Sequence, residues 1–405
     1  MKVLILNDVA AAVGGAETLT LDLRDELRRR GHDARVFASD ALGGHGGTAA
    51  DYTCFGTTGE LRTLNRVANP RAWLALRAAL SEFKPDVVHV RMFMTQLSPL
   101  VLPLLAGIPS LYHAAWYETI CPIGLRLLPD GSVCEFAPGR ACRQQGCLSR
   151  RAWVALMTQR ALWNRWRDVF SLFVANSSAM ERRLREHGIG PTRVIWNGVP
   201  RRPRRPPLAG PPVVAYAGRF SREKGVGYLV EAFARARDAV PDASLLLLGD
   251  GPDRERLAAR AAELGIGGSV RWAGHLGRDA MERELESAWV VATPSVLEEP
   301  FGLAAAEAMM RGTAVVASNH GGLAEIVRDG ETGVLVPPRD TEALVAALAA
   351  LLSDRTRCET LGAAGHDWAW DRLSRERCAD RFLEAYEEIR AESRPAATSV
   401  ARGGG

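Results

Sequence analysis

The sequence predicts an α/β protein made of two doubly wound parallel-sheet domains joined by a linker. Short apolar runs of strand length alternate with helical patterns along most of the chain, the order that builds a parallel sheet covered by helices on both faces. The alternation stops at Asn197-Gly198-Val199-Pro200, crosses a Pro- and Arg-rich linker ending at Pro212, and restarts at Val213. Glycine-bearing loops follow the strands of both halves, at the carboxyl ends where such sheets hold ligands. The expected boundaries are a first domain at 1–200, with a cysteine-rich insertion at 116–150, and a second at 201–371. An amphipathic helix at 372–390 and a disordered, small-residue tail at 391–405 complete the chain.

Composition narrows the class. The 405 residues suffice for two or three domains, and 47% hydrophobic with 24% charged is ordinary for a globular protein. Lys and Arg number 51 against 47 Asp and Glu, a balance of +4 that does not point to nucleic acid as a partner. The apolar stretch at 1–6 is too short for a signal peptide. No run of about 18 apolar residues is present to cross a membrane, so a cytoplasmic protein is expected. Seven cysteines in such a chain argue against a disulfide framework.

In the first half, 2–6 reads as a strand, and a helical pattern through Leu19, Leu23 and Leu27 stops at Gly31. Between them Gly14-Gly15-Ala16-Glu17 lets backbone approach a ligand closely, ahead of a helix end with free N–H groups. Strands are expected at 34–38, 86–90 and 110–113, and helices at 71–83 and 96–106. His113 falls at the carboxyl end of its strand, a ligand position, although a lone His is commonly structural. After the insertion, 150–170 is a helix rich in Trp and Arg. It reads first as core-facing with snorkelling arginines, and otherwise as a peripheral contact with an anionic membrane face. A strand at 173–176, a helix capped by Ser177-Ser178 and ending at Gly188, and a strand at 193–196 close the domain.

The second half opens with a strand at 213–217 and the loop Gly218-Arg219-Phe220-Ser221-Arg222-Glu223-Lys224-Gly225. Arg219 can fork onto phosphate oxygens and Lys224 adds a point charge. Strands at 244–248 and 270–273 lead into Gly249-Asp250-Gly251-Pro252 and Gly274-His275-Leu276. The strand at 289–293 leads into Ser295-Val296-Leu297-Glu298-Glu299-Pro300-Phe301-Gly302-Leu303 and an alanine-rich helix containing Glu307. A helix opening at Pro-Phe-Gly leaves unpaired N–H groups suited to an anion. Two carboxylates with seven residues between them would repel a lone phosphate, but suit a nucleotide sugar whose hydroxyls donate to them. Strands at 315–317 and 332–336, with Gly321-Gly322-Leu323-Ala324-Glu325 between them, and helices over 340–367 finish the domain.

The pattern E-P-F-G-L-x-x-x-E-A-M, together with Gly-Gly-Ala-Glu in the first loop and G-R-x-x-x-x-K-G in the second domain, resembles the family-4 glycosyltransferases. The resemblance covers about 1–390 and is densest in the second half. It implies a GT-B fold of two Rossmann-like domains, with the helix at 372–390 crossing back to the first. It also implies transfer, with retained anomeric configuration, from a nucleotide-diphosphate sugar to a glycan, lipid-linked or small-molecule acceptor. By the same resemblance Gly14, Gly15, Arg219, Lys224 and the helix end at Phe301, Gly302 and Leu303 approach the diphosphate. Glu299 takes sugar hydroxyls, Glu307 the ribose, and His113 the sugar from the first domain, while Gly249, Gly274 and Leu276 line the nucleotide pocket. No catalytic divalent metal is expected. A nucleotide-sugar-binding homologue without turnover is the alternative, and the missing G-x-G-x-x-G speaks against an oxidoreductase.

The insertion departs from that pattern. Cys121, Cys134, Cys142 and Cys147 gather four of the seven cysteines in one loop with few apolar residues. A structural zinc on the four thiolates would supply the missing folding energy. Free thiols in a lid or a redox-labile pair are the alternatives, and no tight cysteine run suggests an iron–sulfur cluster.

Overall fold

The computed structural model describes residues 1–11, 14–42, 49–59 and 61–393. The part of the expected tail beyond 393 lies outside them. The first sheet contains β1 (Lys2–Val9), β2 (Asp33–Ser39), β3 (Tyr52–Cys54), β4 (Val87–Val90), β5 (Ser110–Ala114), β6 (Leu172–Ala175) and β7 (Thr192–Val194). Its order is β3-β2-β1-β4-β5-β6-β7 and its ladders are parallel. The second sheet contains β8 (Val213–Ala217), β9 (Ser244–Leu248), β10 (Val270–Gly274), β11 (Val290–Thr293), β12 (Ala314–Ser318) and β13 (Val334–Val336). Its order is β10-β9-β8-β11-β12-β13, again parallel. This is the GT-B architecture the sequence implies.

Each sheet reverses its winding once, between β1 and β4 and between β8 and β11. A crevice opens at the carboxyl ends of the strands at such a reversal, because the flanking loops leave in opposite directions. Burial on both faces explains why the strands are largely apolar without alternation: β4 and β12 have no exposed residue. The helix Arg375–Glu392 lays Phe382, Tyr386 and Ile389 against Val3, Ile5, Val87 and Leu111 of the first sheet. The last of the described helices thus covers part of the N-terminal sheet.

The helix expected at 96–106 is a tighter 3₁₀ segment, Pro99–Leu105, because Pro103 within it has no N–H to donate. The helix Arg150–Trp166 buries Trp163 against Phe93, Tyr112, Phe170 and Phe173, which fits the core-facing reading. Among the described residues no helix is long and apolar enough to cross a membrane.

Candidate active site in the interdomain cleft

The second domain supplies one wall. The loop after β8 brings Lys224 to Glu299, whose segment follows β11, and Lys224 Nζ donates to Glu299 Oε1 at 2.6 Å. Ser295 Oγ donates to the same oxygen at 2.6 Å, and His320 Nε2 lies 3.0 Å from the Ser295 carbonyl. Burial pushes the Glu299 carboxyl up, but Lys224 and Ser295 outweigh it and hold the group below the ordinary carboxylate range. Gly302 precedes the helix Leu303–Arg311 with φ +102, and a Cβ there would stand 2.4 Å from Leu323 Cδ2. Glycine is therefore required at the start of this helix, whose first N–H groups have no intrahelical partner.

The first domain supplies the other wall. A Cβ on Gly15 would come within 2.6 Å of Leu303 Cδ2, so the two domains meet at this point. Arg91, directly after β4, and Asn176, directly after β6, line the cleft beside Gly15, together with Trp116 and the linker residue Asn197. Lys224 Nζ lies 5.7 Å from the centre of the Trp116 ring. The space enclosed is about 250 Å³, bordered also by Gly218, Phe301, Gly302 and Leu303.

Of the residues singled out from sequence, Gly15, Lys224, Glu299, Phe301, Gly302 and Leu303 meet in this cleft. Gly14 caps the helix Gly15–Arg29 without lining it. Arg219 is exposed beside the cleft, and its guanidinium has no partner among the described residues. Gly249 and Gly274 adjoin Gly218: Gly249 N donates to Gly274 O at 2.7 Å, and a Cβ on Gly249 would lie 2.0 Å from Gly218 O. Leu276 packs against the apolar cluster around Phe301 and Met309. Glu307 sits one helix turn and more from Leu303, and burial raises its pKa against the pull of Arg311 and Arg278. Arg278 Nη2 lies 3.8 Å from Glu307 and 3.3 Å from Asp22 of the first domain, bridging the cleft there.

His113 is not among the cleft-lining residues. It is 1% exposed, with Nδ1 3.3 Å from His89 Nε2 and its ring 5.0 Å from that of Phe382, and burial holds its pKa well below the ordinary value. Arg91, Trp116, Asn176, Asn197 and Ser295 were not singled out from sequence as site residues. Arg91, Asn176 and Ser295 share one signal, a polar residue within two positions of the carboxyl end of a parallel strand.

The zinc expected of Cys121, Cys134, Cys142 and Cys147 is not supported. The four cysteines border one void of about 20 Å³, but among the described residues no group of three or more His, Cys, Asp and Glu is arranged to hold a metal ion. The void is also lined by Ile123, Leu127, Leu128, Phe136 and Leu148, and Cys121 and Leu127 belong to the first domain's core. Further ties order the insertion: Arg126 Nη2 donates to Cys134 O at 2.9 Å and Trp153 Nε1 to Gly139 O at 2.8 Å. The loop thus has an apolar centre of its own, which the sequence reading did not expect.

Two Rossmann-like domains closing on a helix start, a lysine and a carboxylate define the class to which known sequences then assign the chain. Residues 13–202 match the family described as Glycosyltransferase Family 4, and residues 201–368 that described as Glycosyl transferases group 1. The chain belongs to this glycosyltransferase family. It is 30% identical over 296 residues to glycogen synthase of Mycobacterium tuberculosis, a match covering 72% of this chain and 63% of that one. It is 38% identical over 194 residues to α-maltose-1-phosphate synthase of Mycolicibacterium smegmatis, covering 44% and 49% respectively. Among solved structures, sucrose-phosphate synthase from Thermosynechococcus elongatus superposes with TM-score 0.74 at 25% identity, over 97% of this chain and 100% of that one. HepE of Anabaena, solved with UDP and glucose, shares the fold with TM-score 0.68 at 21% identity, over 96% and 100%.

Proposed function

We propose that the protein transfers a sugar from a nucleotide-diphosphate sugar to an acceptor hydroxyl with retention of anomeric configuration. The observation that carries this reading is the Lys224–Glu299 pair at 2.6 Å, on the cleft wall that also presents the helix start at Leu303. When the glycosidic bond to the donor breaks, negative charge grows on the leaving diphosphate. Free N–H groups at the helix start, Lys224 and the unpaired Arg219 are the groups that take it. Lys224, held by Glu299, turns toward the phosphate as the donor enters. Glu299, ionised and fixed by Ser295, accepts from sugar hydroxyls, while Glu307 accepts from the ribose after Arg278 moves aside.

The relatives support the substrate class: one is named for glycogen and another for maltose 1-phosphate, and UDP and glucose occupy HepE. The test is incubation with UDP-, GDP- and dTDP-sugars, UDP-glucose first, with slow donor hydrolysis followed by proton NMR. One donor should be cleaved, with its released sugar first appearing in the anomeric form of the donor. Absence of cleavage across the panel, with and without a range of sugar acceptors, would sink the reading, and an inverted product would remove the retaining step.

A further inference from the structure

We propose that Arg91 is a specificity-determining residue that holds an anionic group, phosphate or carboxylate, of the ligand lying against the first domain. The inference rests on the cleft being the sugar-transfer site. Arg91 follows β4 at the reversal of the first sheet, the crevice in which such a sheet places its ligand. It is 3% exposed, so its charge is almost wholly removed from water.

A guanidinium has five N–H donors, and a buried one needs a counter-charge or a full set of acceptors. Arg91 has neither. Its side chain makes one long hydrogen bond among the described residues, from Nη2 to Asn197 Oδ1 at 3.4 Å, and its Nε has no partner. Among the described residues no carboxylate lies within ion-pairing distance of it, and the carboxyl group that acts on it from farther off is that of Glu17. Burial pushes Glu17 toward its neutral form. The other titratable groups around Arg91 carry no negative charge. Burial pushes the Cys378 thiol up to about 11, and holds His89, at about 3, and His113 below the ordinary imidazole value.

The surroundings are polar in the same sense. Asn176 and Asn197 line the cleft beside Arg91 and each carries an amide NH2 able to donate, while Asn176 Oδ1, an acceptor buried without a partner among the described residues, suits a hydroxyl of the same ligand. One cation with two adjacent amides is a donor set for an anion. Three sources of that anion share this chemistry: the donor's diphosphate, a carboxylate on the transferred sugar, and a phosphate or carboxylate on the acceptor.

The experiment uses the full chain and fills the diphosphate subsite first. Wild type, Arg91→Gln and Arg91→Lys are saturated with UDP, or GDP if that binds instead. Inorganic phosphate and D-glucuronate are then titrated by calorimetry and thermal shift. The wild-type nucleotide complex should bind one of the two anions, Arg91→Gln should bind it at least tenfold more weakly, and Arg91→Lys should recover part of the loss. Weaker binding of the nucleotide itself by Arg91→Gln would identify the donor diphosphate as the source, which also supports the proposal. Without ligand, Arg91→Gln should melt no lower than wild type, since it removes a buried unpaired charge. A lower melting point with unchanged ligand binding would assign Arg91 a structural role and overturn the proposal. So would nucleotide binding of equal strength in wild type and Arg91→Gln, with neither anion bound by the wild-type complex. Failure of the wild type to bind either nucleotide would instead overturn the sugar-transfer reading, and this inference with it.

Discussion

The crevice between β1 and β4 holds Gly15 and Arg91, and the crevice between β8 and β11 holds Gly218, Lys224 and Glu299. Both are reversals of a parallel sheet, and each brings a cation and a glycine to the cleft. They differ in charge balance. Lys224 is paired at 2.6 Å with a carboxylate and Arg91 with none, among the described residues. A site whose cation is balanced internally can stand empty at little cost and must exchange partners to bind, whereas an unbalanced one is stabilised by its ligand. Under the proposed function the second domain is then the part that responds to the donor, and under the Arg91 proposal the first is the part that selects by charge.

The sharpest test of that contrast uses the two donor-side cations. Arg219→Ala removes an exposed, unpartnered guanidinium, so the melting point should stay within a degree or so while donor turnover falls about 100-fold or more. Lys224→Ala should lose turnover to a similar extent and also destabilise the fold by about 1–3 kcal/mol, because it strands the buried Glu299 carboxylate. Turnover and calorimetric melting on both variants decide the matter. Near-normal turnover in both would refute the charge-stabilisation mechanism, and equal melting points would show that Lys224 does not balance Glu299.

The same contrast explains what the sequence could and could not show. The strands Val213–Ala217 and Ser244–Leu248 were legible to the residue, since each is a largely apolar run that ends at a Gly. Tyr52–Cys54 was not, being three residues of an edge strand without alternation, nor was the short helix Arg62–Val67. Lys224, Glu299 and Gly302 lie in local patterns of residue types and could be read as a motif. Arg91, Asn176 and Asn197 are isolated in sequence, and parallel strand order brings them together. The cysteines were read as a loop without a core because Leu127, Phe136 and Leu148 are scattered along it and converge only on folding.

A smaller effect belongs to Glu118, in the turn Tyr117–Thr119 that follows Trp116. Burial, with Asp8 adding to it and Arg66 opposing, raises its pKa to about 8, and its Oε1 has no partner among the described residues. A folded pKa above the unfolded value means that stability is fully present below about 4.5 and is lost as pH rises toward about 8. Between pH 6 and 8 the loss should be on the order of 2 kcal/mol, a fall of a few degrees in melting temperature. Glu118→Gln keeps the shape and should flatten that slope. An unchanged slope in the variant would assign the pH dependence to other groups.

The smallest expected effect concerns how the cleft is held shut. The first N–H groups of the helix Ser178–Glu186 of the first domain have no intrahelical partner: Met180 N donates to the cap Ser177 Oγ, and Ser178 N and Ala179 N donate to Glu325 of the second domain, both at 2.8 Å. The same helix is gripped again where Arg183 Nε meets Glu298 Oε2 at 3.0 Å, next in sequence to the donor-side Glu299. A carboxylate at a helix N-terminus contributes about 0.3–1 kcal/mol, and salt screens it. Because these bonds cross the cleft, their energy favours the closed arrangement that brings Gly15 to Leu303 and leaves the chemistry of either wall alone. Glu325→Gln should therefore raise the donor KM about two- to fivefold with kcat nearly unchanged, and the difference from wild type should shrink at high salt. A fall in kcat with KM unchanged would show that Glu325 acts in the reaction step instead of in closure. Identical KM values at low salt would show that the contact contributes nothing to holding the domains together.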